Sequence, residues 1–175
     1  MSKTLLLYYS RSGENYVNGR IVSLPVGQTK KAIQYLAKAT GADTFQVETV
    51  KPYSTDYHTC TQQALEELHT GARPAILQPL TDISAYDKVV IAGPCWWGTY
   101  PMAIFTQVEM LDFTGKTIYP LLTHEGSGLG HAAKDLLKAC KGARLGQSLA
   151  IQGAAVDASE KQLLDWARAC GLKQA

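Results

Sequence analysis

The chain of 175 residues is most easily bounded by what it lacks. No C-x-x-C pair occurs, and Cys60, Cys95, Cys140 and Cys170 stand far apart, so neither a zinc knuckle nor a disulfide framework is indicated. The four are expected to be reduced thiols. No G-x-x-x-x-G-K-[ST] loop exists, which removes the usual cradle for a nucleoside triphosphate. His124-Glu125 lacks the second histidine of H-E-x-x-H, which removes a zinc protease. Apolar runs are too short to span a bilayer, and the start, Met1-Ser2-Lys3-Thr4, leads into a strand pattern rather than a signal peptide. A cytoplasmic location is therefore expected. There is no acidic block and no basic stripe interleaved with aromatics, so nucleic acid is not an expected partner. With net charge +2, 46% hydrophobic and 18% charged residues, this is ordinary globular composition at the size of one domain.

What is present is an alternation of two kinds of stretch. Thr4 to Tyr9, Lys88 to Gly93 and Lys116 to Leu122 are nearly continuous apolar runs, the pattern of strands covered on both faces. Phe45 to Val50 alternates and predicts an edge strand, and Leu145 to Ile151 is a weaker fifth candidate. Helical periodicity lies between them. It predicts a helix from about Gln28 to Thr40 stopped by Gly41, a second around Ala64, Leu65 and Leu68, and a third over Met102 to Leu111 with Pro101 in its first turn. A fourth runs from Ala132 to Cys140, and a fifth carries Leu163, Leu164, Ala167 and Cys170. Five strand-helix alternations imply a parallel sheet with helices on both faces, and ligands then bind beyond the carboxyl ends of the strands.

Three loops fall at that end. After the first strand comes Ser10-Arg11-Ser12-Gly13-Glu14-Asn15, but the first helix waits through Glu14 to Val26 and resumes at Gly27-Gln28-Thr29. The hydroxyls of Ser10, Ser12 and Thr29 with helix-start amides suit an anion, although a plain helix cap explains such a loop equally well. After the third strand, Gly93 to Pro101 reads GPCWWGTYP and sets Trp96 and Trp97 side by side in a loop. After the fourth come Thr123-His124-Glu125-Gly126-Ser127-Gly128-Leu129-Gly130, whose glycines miss the dinucleotide fingerprint in spacing and in place. An anion site, aromatic planes and a glycine-rich rim together suit a flat, phosphorylated aromatic ligand. One tryptophan would flank the ring while the other packs inward. Cys95 reads as a packing residue, and His124 and Glu125 as rim residues. A signalling receiver would need acidic residues where this chain has Tyr9-Ser10 and Gly93-Pro94.

The stretches YYSRSGEN, GPCWWGTYP and THEGSGLG, in this order, resemble the three ligand loops of the flavodoxin family, in the branch whose phosphate loop is split by an insertion and resumes at G-[NQ]-T. The resemblance covers nearly the whole chain. It implies an α/β, doubly wound five-stranded parallel sheet in the order 2-1-3-4-5, helices on both faces, over a single FMN-binding domain of residues 1–175. It implies that Ser10, Ser12, Gln28 and Thr29 hold the phosphate of a non-covalent FMN, with Arg11, Gly13 and Asn15 beside it. Pro94, Cys95, Trp96, Trp97, Gly98 and Thr99 would border the isoalloxazine on one side, and Thr123, His124, Glu125, Gly126, Ser127 and Gly128 on the other. The implied function is electron transfer with a redox partner protein. The alternative is an FMN oxidoreductase that takes hydride from NAD(P)H and reduces a quinone or similar small acceptor. The insertion from Glu14 to Val26 is either a lid over the site or a surface loop.

Overall fold

In a computed structural model, which describes residues 2–172, the apolar runs become the interior of one sheet. The order along the chain is β1 (Thr4–Tyr8), β2 (Gly13–Val17), β3 (Arg20–Leu24), α1 (Gln28–Thr40), β4 (Asp43–Gln46), α2 (Tyr57–Thr70), β5 (Lys88–Pro94), α3 (Met102–Val108), β6 (Thr117–His124), α4 (Ala132–Ala139), β7 (Arg144–Leu145), β8 (Leu149–Gln152), a 3-10 segment (Gly153–Ala158) and α5 (Glu160–Ala169). The main sheet runs β4-β1-β5-β6-β7, with β8 also pairing β6, and every pairing in it is parallel. Counted as five positions, this is the expected order 2-1-3-4-5.

The continuous apolar runs follow from burial on both faces. In β1, Leu5 and Leu7 join one core while Leu6 and Tyr8 join the other; β5 divides Val89 and Ile91 from Val90 and Ala92 in the same way. Side chains alternate across a strand, so two helix layers demand apolar residues at every position. One layer is α1 and α5, which bring Ala32, Ile33, Leu36, Leu163 and Trp166. The other is α3 and α4 with the inner side of α2; α3 is buried along its whole length. Burying one such aliphatic or aromatic side chain contributes about 1.5–3 kcal/mol.

Four boundaries differ from the sequence reading, each for a local reason. The edge strand is Asp43–Gln46 rather than Phe45 to Val50. Beyond Val47, whose amide still bonds Tyr8 O, the chain pairs instead with residues 75–77 through Val50 N to Ala75 O and Leu77 N to Glu48 O. Helix α3 stops at Val108 rather than Leu111, because Met110 N and Leu111 N turn to carbonyls three residues back in a tightened last turn. The fifth strand is broken into β7 and β8. At the break, a Cβ on Gly146 would lie 2.4 Å from the Tyr119 ring, so the ring occupies the space a side chain would need. Finally, the insertion is not a loop. Residues Gly13 to Leu24 form an antiparallel hairpin, β2-β3, separate from the main sheet. Its turn is Asn18-Gly19, with φ of 50° and 80°, the two-residue turn whose twist matches a hairpin.

Candidate functional site

The chain leaves β1 toward β4 on one side and β5 on the other, so a crevice opens between the carboxyl ends of β1 and β5. Two adjoining cavities of about 130 Å³ and 290 Å³ lie there and share Arg11, Asn15, Tyr57, Cys95 and Trp96 on their walls.

The smaller cavity gathers oxygen-bearing side chains beside Tyr16, Tyr57 and Trp96. Ser10, Gln28, Thr29 and Thr123 face it, and the Thr29 and Thr123 hydroxyls meet at 2.7 Å. This one bond joins the start of α1 to the end of β6. Ser10 Oγ accepts from Lys30 N at 3.1 Å, so the serine does cap the helix, as the plainer reading of this loop has it. The cap forms because Gly27 lets α1 begin against the first loop. A Cβ at Gly27 would sit 2.3 Å from Ser10 Oγ and 2.5 Å from Arg11 O. The side-chain Oε1 of Gln28 is buried here without a hydrogen-bond partner. A buried acceptor left unmade costs about 1–3 kcal/mol, which a donor on a ligand would relieve.

The larger cavity is aromatic. The segment Trp96 to Thr99 is a tight reversal, with Trp96 N donating to Thr99 O at 2.8 Å. Trp97 sits in the left-handed region at φ 54°, followed by Gly98 at 84°. A bulky residue there costs about 1–3 kcal/mol and persists only when its surroundings hold it. They do: Trp97 Nε1 donates to Thr61 O of α2 at 2.9 Å, and the indole remains 48% exposed. The two tryptophans have separate tasks. Trp96 packs edge-on against Tyr9 and Tyr53, with centroids 5.3 Å and 5.2 Å away, while Trp97 stands at the cavity wall. Cys60, Thr61 and Ala64 of α2 line the same cavity.

Hairpin β2-β3 roofs this crevice and is fastened at both ends. Glu14 Oε2 accepts from Tyr57 N at 2.7 Å, and Tyr16 stacks on Tyr57 with centroids 6.1 Å apart and planes at 23°. At the tip, Asn18 N donates to Glu125 Oε2 at 3.3 Å, while the same carboxylate accepts from Ala154 N at 2.9 Å. Arg11 and Asn15 direct donors to the local backbone: Arg11 Nε to Glu14 O, and Asn15 Nδ2 to Arg11 O and Gly13 O.

Of the residues expected at the site, Ser10, Arg11, Asn15, Gln28, Thr29, Pro94, Cys95, Trp96, Trp97, Thr123, His124 and Glu125 line the two cavities. Ser12, Gly13, Gly98, Thr99, Gly126, Ser127 and Gly128 do not. Thr99 is buried and donates to Asp135 Oδ2 at 2.8 Å, and Gly98 O accepts from His131 N, so this half of the tryptophan turn fastens the loop to α4. His124 Nδ1 accepts from Gly126 N at 2.9 Å, which closes its loop locally. Tyr16 lines the wall from the insertion, and five wall positions were not anticipated from the sequence: Tyr57, Cys60, Thr61, Ala64 and Gly153. Asn18-Gly19, with Val17 before it and Ile21-Val22 just after, could have revealed the hairpin that carries Tyr16. The others follow only from which helix and which strand end reach the crevice.

This is a doubly wound α/β protein with a crevice at the switch point of its sheet. The sequence profile of the flavodoxin family, described as "Flavodoxin", matches residues 22–169, and the chain belongs to that family. Among solved structures, a candidate flavoprotein of Bacteroides uniformis ATCC 8492 is 27% identical, with TM-score 0.75, over 95% of this chain and 98% of that one. A second candidate flavoprotein, from Bacteroides eggerthii DSM 20697, is 26% identical with TM-score 0.76, over 99% and 100% of the two chains. The flavoprotein of Lactobacillus acidophilus NCFM, solved in complex with FMN, shares the fold at 21% identity and TM-score 0.67, over 90% of this chain and 98% of that one. No curated protein matches the chain.

Proposed function

We propose that this chain is an FMN-binding redox protein that transfers electrons to or from a partner. The observation that carries the reading is the pairing of a hydroxyl-bearing, tightly built end with a slot walled by Tyr57, Trp96 and Trp97 in one crevice. Ser10, Thr29, Thr123 and the orphaned Gln28 Oε1 supply polar partners at the first. Trp96, Trp97 and Tyr57 supply flat apolar walls at the second. Family membership and the FMN complex of the Lactobacillus acidophilus flavoprotein support the same ligand.

The residues fit the group as follows. Ser10, Thr29 and the amides at the start of α1 would hold the phosphate, whose charge a helix N-terminus favours. Gln28 Oε1 would accept from a ribityl hydroxyl. Trp97 would cover the ring, since it alone of the two tryptophans is free of the core cluster. Bound flavin supplies one- or two-electron redox chemistry, and the protein's part is to bind, orient and exclude water. The roof of Tyr16 and Tyr57 narrows the approach to the slot. That favours an electron entering or leaving at an edge over a nicotinamide lying flat on the ring. Among the described residues no helix is long and apolar enough to cross a membrane, and a cytoplasmic location fits the reduced thiols.

The test is titration of the purified protein with FMN, following flavin fluorescence, beside riboflavin. FMN is expected to bind at least roughly a hundredfold more tightly, because charge-assisted bonds to phosphate contribute about 1.5–3 kcal/mol each. Equal affinities would mean that Ser10 only caps the helix and Thr29 only ties it to Thr123. Failure to quench FMN at all would overturn the reading. Steady NAD(P)H consumption with a quinone would transfer the proposal to the oxidoreductase alternative.

A further inference from the structure

The tryptophan turn is tied to the start of α4 by residues that line neither cavity of the crevice. Thr99 is 1% exposed and donates its hydroxyl to Asp135 Oδ2 at 2.8 Å. The same oxygen accepts from His131 Nδ1 at 2.6 Å, because an ionised carboxylate can only accept. His131 N in turn donates to Gly98 O at 2.8 Å. The two backbones approach so closely that a Cβ on Gly130 would lie 2.2 Å from Gly98 O. One on Gly98 would lie 3.1 Å from His131 Nε2. Gly130, the last glycine of the third loop, therefore has a task that ligand contact does not supply.

We infer that Thr99, Asp135 and His131 form a latch of positioning residues that holds Trp97 in its left-handed pose and so sets how tightly the crevice grips a flat ring. The first half concerns this chain alone, and the second rests on the proposed FMN binding. A bulky residue at φ 54° stays there only when its neighbours over-determine it. Burial of the indole does not supply that restraint, since the ring is 48% exposed and makes one hydrogen bond, Nε1 to Thr61 O at 2.9 Å. The backbone after it does. Thr99 closes the turn in both directions, its O accepting from Trp96 N at 2.8 Å and its N donating to Trp96 O at 3.3 Å. Gly98 and Thr99 are each fastened to α4, one by its carbonyl and one by its side chain. Trp97 is thus strung between α2 and α4. A carboxylate suits the task, because hydrogen bonds to an ionised acceptor are about twice as strong as neutral ones.

The experiment places 5-fluorotryptophan in the purified chain and records fluorine NMR without cofactor. Trp97→Phe identifies the Trp97 resonance among the three tryptophans. Trp166, on α5 in the other helix layer, is the internal control. Thr99→Val removes the hydroxyl and keeps the shape, whereas Thr99→Ser keeps the hydroxyl. Asp135→Ala breaks the latch at a half-buried position, where a change is tolerated better than at buried Thr99. The Trp97 resonance is expected to shift or split in Thr99→Val and Asp135→Ala and to stay parent-like in Thr99→Ser, with Trp166 unmoved in all three. A purely structural role would lower the melting temperature of Thr99→Val and Asp135→Ala and leave the Trp97 resonance of the folded chain in place, which would overturn the proposal.

FMN affinity reads the second half. Thr99→Val is expected to weaken FMN binding about two- to tenfold, the range an aromatic stack contributes, and Thr99→Ser to restore it. In a Trp97→Ala background the same Thr99→Val change is expected to have no further effect, because the latch acts through that ring. Equal weakening with and without Trp97 would overturn the second half. If the parent chain bound no FMN, the FMN reading and the second half would fall together, while the fluorine spectra alone would uphold or overturn the latch.

Discussion

The two sides of the crevice are built on opposite principles. The end at α1 is interlocked: Thr29 and Thr123 are 2% and 4% exposed, and their bond ties the start of α1 to the end of β6. Gly27 there has no room for even a methyl group. The roof is a two-stranded ribbon with no ladder to the main sheet, and its Tyr16 and Ile21 are 43% and 42% exposed. An isolated hairpin is marginally stable in water, so this one depends on its fastenings at Glu14, Tyr57 and Glu125. The lesson is that a rigid end can fix a ligand's position while a weakly held roof leaves it a way in. Opening the roof would require breaking only a few local bonds, whereas opening the other end would require unpacking the sheet.

The largest expected effect therefore belongs to the interlocked end. Gly27→Ala should displace the backbone carbonyl of Arg11 and the Ser10 cap together, costing about 1–3 kcal/mol of folding as other overpacked sites do. FMN affinity should fall with it. A urea midpoint and FMN affinity both unchanged in this variant would show that the first loop is as yielding as the roof, and the contrast would disappear.

Next comes Trp96→Ala. Its ring is shared by Tyr9 and Tyr53, so removing it should cost about 2–4 kcal/mol of stability, somewhat less than a fully buried tryptophan. Trp97→Ala should do the reverse. Stability should change by less than about 1 kcal/mol, since the indole is half exposed and loses only its one bond to Thr61, while alanine keeps the same left-handed backbone. FMN binding should weaken by about 0.5–1.5 kcal/mol beyond the area lost. Equal effects of the two substitutions on stability and on FMN affinity would refute the division of labour between them.

Shortening the roof sharpens the comparison further. Replacing Glu14 to Leu24 by a short glycine linker should leave the unfolding free energy within about 1 kcal/mol, because few bonds tie it to the rest. FMN dissociation, followed by stopped-flow fluorescence, should quicken by about tenfold, equivalent to roughly 1.4 kcal/mol. A large loss of stability instead would make the hairpin part of the core.

The smallest effect concerns the helix that holds the roof. Asp56 caps α2, and the backbone amide and then the hydroxyl of Thr59 hold its carboxyl below the ordinary carboxylate range. A depressed carboxylate contributes stability that is fully present above its unfolded value and is lost as pH falls through the folded one. Helicity of α2, and with it the Tyr57 platform, should thus loosen on acidification well below neutral pH. Asp56→Asn keeps a neutral cap and should flatten that dependence, as measured by circular dichroism against pH. An identical acid profile in both proteins would remove Asp56 from the account.

By itself the sequence determined the sheet and the place of the crevice. Continuous apolar runs such as Leu5 to Leu7 and Val89 to Ala92 can be satisfied only between two helix layers, and such a sheet binds ligands at its carboxyl edge. Local chemistry also fixed helix α1, because its periodicity and its stop at Gly41 both lie within the segment. Tertiary structure decided the rest. Nothing local distinguishes Trp96 from Trp97; the turn at φ 54° sends one ring to Tyr9 and Tyr53 and the other to Thr61, residues far away in the chain. Thr99 and Gly98 stand beside the tryptophans in sequence but face α4, because the reversal points successive side chains in different directions. The helix start at Gly27 and the break at Gly146 are set by a hydroxyl of the first loop and a ring on β6, and no window of neighbouring residues contains that information.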